Sequence, residues 1–125
     1  VRVLGWSAPS SLISVVRTFP AADIFIAAEF GRALASEVSA ASGVSLRPAG
    51  SDFDFEGGGM WISLRDNSED DIPETKSYGS WLSIEHEDDE ARRALLLGIA
   101  AALSDMGHVI RLFDDGEPIP FGVDA

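Results

Sequence analysis

The sequence has no cysteine among its 125 residues. That excludes disulfides, thiolate metal sites and a cysteine nucleophile together, and it fits a reducing, cytoplasmic setting. Lysine is nearly as scarce, with Lys76 the only one, so eight of the nine basic residues are arginine. Such a chain, also rich in alanine, reads as the product of a GC-rich bacterial gene. Basic charge as a whole is short: 21 Asp and Glu leave a formal charge of −12 and a pI near 4.3. A field of that sign repels phosphate backbones and anionic head groups, so neither a nucleic acid nor a membrane is expected as a partner. Long apolar runs are missing too. The longest, Ala94 to Leu103, is about half of the ~20 residues that a membrane span requires. Arg2 and the lack of an apolar stretch before Pro9 give no sign of a secretory signal peptide.

What is present suffices for a folded unit. Apolar residues make up 46% and aromatic residues 9%, and this length supports one domain, residues 1–125, with its own core. Val1 to Trp6 reads as a strand. Ser11 to Phe19 fits either a helical stripe or an alternating strand, with its Val and Ile content favouring the strand. Asp23 stands as the N-cap of a helix reaching Ser42, with Ala27, Phe30, Leu34, Val38 and Ala41 as its apolar stripe and Gly31 as a cost of up to about 1 kcal/mol. Gly43 stops it, and Val44 to Arg47 reads as a short strand.

Asp52 to Arg65 is the clearest hairpin. Phe53 and Phe55 alternate with Asp52, Asp54 and Glu56; Met60, Ile62 and Leu64 alternate with Trp61, Ser63 and Arg65. Pairing Phe55 with Met60 and Phe53 with Ile62 separates apolar side chains from charged ones, whereas a slip of one residue mixes them. Asp66 to Tyr78 follows as an acidic loop, and then a strand from Gly79 to Glu85.

Glu87 to Glu90 then supply acids for the start of a long helix, Ala91 to Met106, which Gly107 stops. Asp88 with Arg92 and Asp89 with Arg93 have i,i+4 spacing in the favourable order. Leu95, Ile99, Ala102 and Met106 form one stripe of this helix while Leu97 and Ala101 point elsewhere. A helix apolar on several sides is central to a core or buries a second face against another chain, so a homo-oligomer through this helix is one expectation. His108 to Phe113 closes as a strand. The order is that of an α+β fold: a mainly antiparallel sheet of about five to six strands with two helices packed on one face.

Two constellations bear on function. From Asp66 to Glu90 there are ten carboxylates and one lysine, so this window holds −9 of the −12. It reads either as a solvated loop plus a helix cap, or as an anionic surface for a basic protein. Trp61 and Trp81 are the second. The alternation places both opposite the core beside Asp52, Asp54, Glu56, Arg65 and Glu85, which is the composition of a protein-binding hot spot. The competing reading is that residues 1–19 fold across this face. The expected partner-binding residues are therefore Asp52, Asp54, Trp61, Asp66, Glu69, Asp70, Asp71, Glu74, Trp81, Glu85, Glu87, Asp88 and Asp89.

Catalytic and metal signals are weak. His86 and His108 flank the long helix, about 28 Å apart at ~1.5 Å per residue, and cannot share a metal. Asp66 to Asp71 lacks the glycine and terminal glutamate of a calcium-binding EF loop. Gly57-Gly58-Gly59 precedes a strand, not a helix, and so suits a hairpin turn better than a phosphate cradle. No serine lies in Gly-x-Ser-x-Gly. No cofactor is expected; an enzyme built on a carboxylate cluster with His86 is the remaining catalytic option.

In size, acidity, lack of cysteine and lack of a catalytic signature, the chain resembles the small immunity proteins that bacteria carry beside polymorphic toxins. The resemblance is one of general character, without a shared motif. It implies a cytoplasmic inhibitor that binds a basic protein, such as a toxin domain, and blocks its active site or substrate groove. The alternatives are a homo-oligomeric structural or sensory module and the carboxylate/His86 hydrolase.

Overall fold

A computed structural model describes residues 20–70, 72–73 and 75–121. The strands expected at Val1–Trp6 and Ser11–Phe19, and the question whether residues 1–19 cover the tryptophan face, lie outside the described residues. The elements are β1 (Ala21–Ile26), α1 (Arg32–Ser42), β2 (Arg47–Ala49), β3 (Asp52–Gly57), β4 (Met60–Asp66), β5 (Ser80–His86), α2 (Asp89–Asp105), β6 (Ile110–Asp114) and β7 (Glu117–Ile119). The fold is α+β, with one antiparallel sheet of seven strands in the order β2-β3-β4-β5-β1-β6-β7. Two of the seven are strands that the sequence did not announce: β1, whose residues read as helix, and β7, an edge of only three residues. Each edge carries a proline, Pro48 in β2 and Pro118 in β7, which withholds an N–H from any further strand.

β1 replaces the first half of the helix expected from Asp23. Ala22, Ile24 and Ile26 are fully buried while Asp23 and Phe25 point to the other face, a period of two. The segment lies between β5 and β6, so both of its edges gain sheet hydrogen bonds, and that outweighs alanine's helical preference. The helical spacing of Ala27 and Phe30 continues the stripe of α1 only by coincidence. Gly31 is the N-cap of α1 and not an interior residue, so the helix bears no glycine cost, and Gly43 ends it in the left-handed region. The short strand expected at Val44–Arg47 forms three residues later, as β2.

The β3–β4 hairpin turns on Gly58 and Gly59, with φ of 62° and 80°, the two positive values that a tight two-residue hairpin turn requires. Gly57 therefore pairs with Met60, Phe55 with Ile62 and Phe53 with Leu64. The expected register is off by two residues. Its faces are nevertheless right, because a shift by an even number leaves every side chain on its own side.

Both helices lie on one face of the sheet. Leu34, Ala35 and Val38 of α1 and Leu96, Ile99, Ala100 and Leu103 of α2 share one core with Ala22, Ile24, Ile26, Ile62, Leu64, Leu82, Ile84 and Leu112. The buried side of α2 thus centres on Leu96, Ile99, Ala100 and Leu103. The expected stripe differs from it: Met106 is exposed and only Ile99 belongs to both. Gly107, with φ of 98°, follows its last turn.

The expected i,i+4 ion pairs do not form. Asp88 caps α2 by accepting from the Ala91 N–H at 2.8 Å. Arg92 meets Asp89 at 2.9 Å, then turns inward to Asp114 on β6 at 2.8 Å, and Arg93 reaches the other oxygen of Asp114, also at 2.8 Å. Arg92 and Asp114 are both 5% exposed. Burial alone raises the Asp114 pKa, but hydrogen bonds from Arg92 and Arg93 and their charges hold it below the usual carboxylate value. Burial alone lowers that of Arg92, and bonding to Asp114 and Asp89 raises it instead. Among the described residues, no helix is long and apolar enough to cross a membrane.

Candidate functional site: the outer face of the sheet

The face away from the helices is built by the odd residues of β4, β5, β1 and β6 and by the even residues of β3. Its middle row runs Asp54, Ser63, Ser83, Asp23, Phe113 across β3, β4, β5, β1 and β6. On one side of that row lie Glu56, Trp61 and Glu85. On the other lie Arg65, Trp81, Phe25 and Arg111. Each position follows from period-two alternation with Ile or Leu beneath.

Polar bonds hold the aromatic rings in place. The Trp81 indole N–H donates to Asp23 at 2.8 Å, and that of Trp61 to Asp54 at 3.4 Å. Asp54 also accepts from the Ser63 hydroxyl at 2.8 Å. Phe25 stacks on Trp81 at 5.9 Å between centroids and meets Phe113 edge-on at 5.7 Å. The Arg65 guanidinium lies 5.3 Å from the Trp81 ring centre, and that of Arg111 lies 5.6 Å from Phe113. Both indoles are half-buried, and Ser63 and Ser83 beneath them are buried.

The structure thus brings five expected residues, Asp52, Asp54, Trp61, Trp81 and Glu85, onto one face. The remaining acids do not join them as one surface. Asp66, Glu69 and Asp70 lie where β4 leads into the acidic loop, at the Ser80 end of β5. Glu87, Asp88 and Asp89 lie past its His86 end. A strand of that length separates them by roughly 20 Å, so the single acidic stretch in sequence becomes two poles. Asp71 and Glu74 lie outside the described residues.

Several of these acids also have structural duties. Asp66 accepts from the backbone and hydroxyl of Ser68. Asp70 accepts from the Ile72 N–H and from the Thr75 hydroxyl. Asp88 is the cap of α2, and Asp89 pairs with Arg92. Asn67, buried at the base of the loop, donates to the carbonyls of Thr75 and Tyr78. There, Gly79 sits so close to the Ala28 carbonyl that a β-carbon would come within 2.7 Å of its oxygen.

The histidines sit at opposite ends of α2. His86 Nδ1 accepts from the Asp88 N–H at 3.0 Å, and its carbonyl accepts from Arg92. His108 meets Glu37 at 2.6 Å. Among the described residues, no three His, Asp or Glu side chains are grouped to hold a metal ion.

The chain matches no protein-family model, no curated protein and no solved structure. A functional reading therefore rests on the site itself. The residues that sequence reasoning missed here are Asp23, Phe25, Arg111 and Phe113, and Ser63 and Ser83, though sorted to this face, were given no part in the site. The strand β1 was hidden by its helical misreading, and β6 contributes its aromatic and arginine only once it pairs with β1. One signal was available: Trp61-Ile62-Ser63-Leu64 and Trp81-Leu82-Ser83-Ile84 repeat one pattern.

Proposed function

We propose that the chain is a non-enzymatic protein-binding module of the immunity type, which holds and blocks a basic protein such as a toxin domain with the outer face of its sheet. The observation that carries this reading is the row Glu56–Trp61–Glu85, a half-buried indole between two carboxylates on the side of the sheet that the helices leave uncovered. Interface energy concentrates in such aromatic anchors. The acidic poles at either end of β5 add long-range attraction for a basic partner, which acts chiefly on the association rate. His86 is engaged as an acceptor at the start of α2, and nothing among the described residues around it favours the hydrolase reading.

The test is binding to the protein encoded beside this gene, measured by surface plasmon resonance. Raising salt from about 0.01 M to about 1 M shortens the screening length from ~30 Å to ~3 Å, and the association rate is expected to fall more than tenfold. Trp61→Ala is expected to weaken affinity by at least about 2 kcal/mol, or ~30-fold. A complex indifferent to both changes sinks the reading.

A second reading is favoured by one observation on α2. Ala94, Leu97, Gly98 and Ala101 form an exposed strip, with Leu97 39% exposed. A homo-oligomer packed through this strip is expected to dissociate on Leu97→Asp, read as a halved mass in light scattering. An unchanged monomer mass in both proteins rejects it.

A further inference from the structure

The outer face carries four aromatic rings, Trp61, Trp81, Phe25 and Phe113, on neighbouring strands, while both described helices pack on the opposite face. A sheet face rich in apolar surface is stable when a second layer covers it. Its middle row is already shut off from water: Ser63 is 4% exposed and Ser83 2%, with the Ser83 hydroxyl oxygen sealed from solvent. Serine is ordinarily an exposed residue, so burial of this pair points to a cover on that side. Asp23 and Glu85, on the same face, are each engaged within the chain, which favours a cover from the chain itself.

Residues 1–19 have the composition for it. Ten of the 19 are apolar, and Arg2 and Arg17 are their only charged side chains, so their +2 leaves −14 for the rest of the chain. They lead into β1 through Pro20, and Ala21 lies opposite Glu85, in the half of the face that also holds Trp61 and Glu56. Arg17 is four residues from Ala21, about 13 Å of extended chain, whereas Glu85 and Trp61 lie one and two strands from β1 at about 5 Å per strand. Both are within its reach. Residues 1–19 in extended form span ~60 Å, several times the ~19 Å between β3 and β6, so they can cross the face even with a bend at Pro9. The exposed strip around Leu97 lies beyond the helix layer, away from Ala21.

We propose that residues 1–19 of this chain dock across the outer face at its Trp61 end, with Arg17 as the group that engages Glu85, and that a basic partner binds by displacing them. The docking stands on the face itself; the displacement rests on the protein-binding reading and makes that site a regulated one. Both occupants bring positive charge to the same carboxylates, so they exclude each other, and the partner's apparent affinity is reduced in proportion to the fraction of chains left uncovered. Tethered through Pro20, the internal occupant competes at an effective concentration on the order of millimolar. The partner gains instead from steering by the two acidic poles, which lie off the face.

The chain has no native cysteine, so Ser14→Cys places a single nitroxide on the isotope-labelled full chain. Indole N–H signals are followed by NMR and assigned with Trp61→Phe and Trp81→Phe, and the same sample with its nitroxide reduced is the reference. The Trp61 signal is expected to lose most of its intensity, while the amides of Glu37 and Leu97, exposed on the helices, keep theirs. Ser10→Cys repeats the measurement should Ser14→Cys disturb the amides of β4 and β5. Arg17→Gln in the labelled chain is expected to raise the Trp61 intensity several-fold. Arg32→Gln, an equal change of charge at an exposed residue of α1, is expected to leave it unchanged. A hexa-arginine peptide added at low salt as the basic competitor is expected to restore the signal in the labelled parent. Full Trp61 intensity with both labels overturns the docking, as does broadening confined to Leu97. Equal effects of Arg17→Gln and Arg32→Gln overturn the contact with Glu85. Broadening that persists with nitroxide and isotope on different molecules assigns the face to a second copy and overturns the internal occupant. Peptide that binds yet leaves the broadening intact overturns the displacement. Failure of the docking is distinct from failure of the protein-binding reading, because salt and Trp61→Ala act on the complex whether or not residues 1–19 cover the face.

Discussion

Asp114→Ala is expected to cost about 3–5 kcal/mol of stability, because it strands the buried Arg92 guanidinium without its partner. Arg92 has no route to water equal to the bond it loses: it is 5% exposed, and only Asp89, at 82% exposure, and the neutral His86 carbonyl would still face it. Arg93 is half exposed and can turn outward. The contrast that isolates the mechanism is the double change Arg92→Met with Asp114→Leu. Removing both charges in favour of apolar side chains is often neutral or stabilising, so this variant is expected to recover most of the loss. Chemical denaturation at neutral pH measures both. A loss below about 1 kcal/mol for Asp114→Ala would show that the cluster is hydrated and contributes little.

The same group sets an acid dependence. The folded pKa of Asp114 lies below its ordinary value of 3.8, so the unfolded chain takes up the proton first as pH falls. The contribution of Asp114 is thus complete above the unfolded value and disappears as pH drops through the lower folded one. Stability of the parent is expected to fall more steeply below about pH 4 than that of Asp114→Ala.

Asn67→Ala carries the second large effect, about 2–4 kcal/mol, since it leaves two loop carbonyls without their donor. Asn67 Nδ2 holds Tyr78 O at 2.8 Å, Thr75 O at 3.1 Å and Asp70 Oδ2 at 3.3 Å. These bonds close the acidic loop on itself. Amides within the loop are expected to exchange with solvent faster in the variant while those of β4 and β5 keep their protection. Unchanged exchange would transfer the holding role to the loop base, where Asn67 N–H donates to Gly79 O and the Ser80 hydroxyl donates to Ala28 O. The variant also separates two uses of the acids. Steering by their field needs only their charge, and association rate is then retained; contact by a shaped loop is lost with its shape.

Much of the outer face was legible in the order of residues. Trp61, Ser63 and Arg65 alternate with Ile62 and Leu64, as Trp81, Ser83 and Glu85 do with Leu82 and Ile84, and period two allows only one sorting of these side chains. Asp54 followed for the same reason. Asp23 and Phe25 did not, because Ala21 to Ile26 sits just ahead of a true helix whose apolar spacing extends backward through Ala27 and Phe30. The i,i+4 partners of Arg92 and Arg93 failed for a different reason. Asp114 is distant in sequence and offers both arginines a desolvated carboxylate, which competes successfully with solvated Asp88 and Asp89.

The linear order by itself determined the acidity, the absence of thiol chemistry, the α+β class and the separation of oily from polar faces, all properties of composition or of short periods along the chain. Tertiary structure alone decided that β1 is a central strand, that one acidic stretch becomes two poles on either end of β5, and that Ser83 lies buried opposite Ser63. Those facts depend on which strands become neighbours. Hydrogen bonding between strands is nonlocal, and no window of sequence contains both partners.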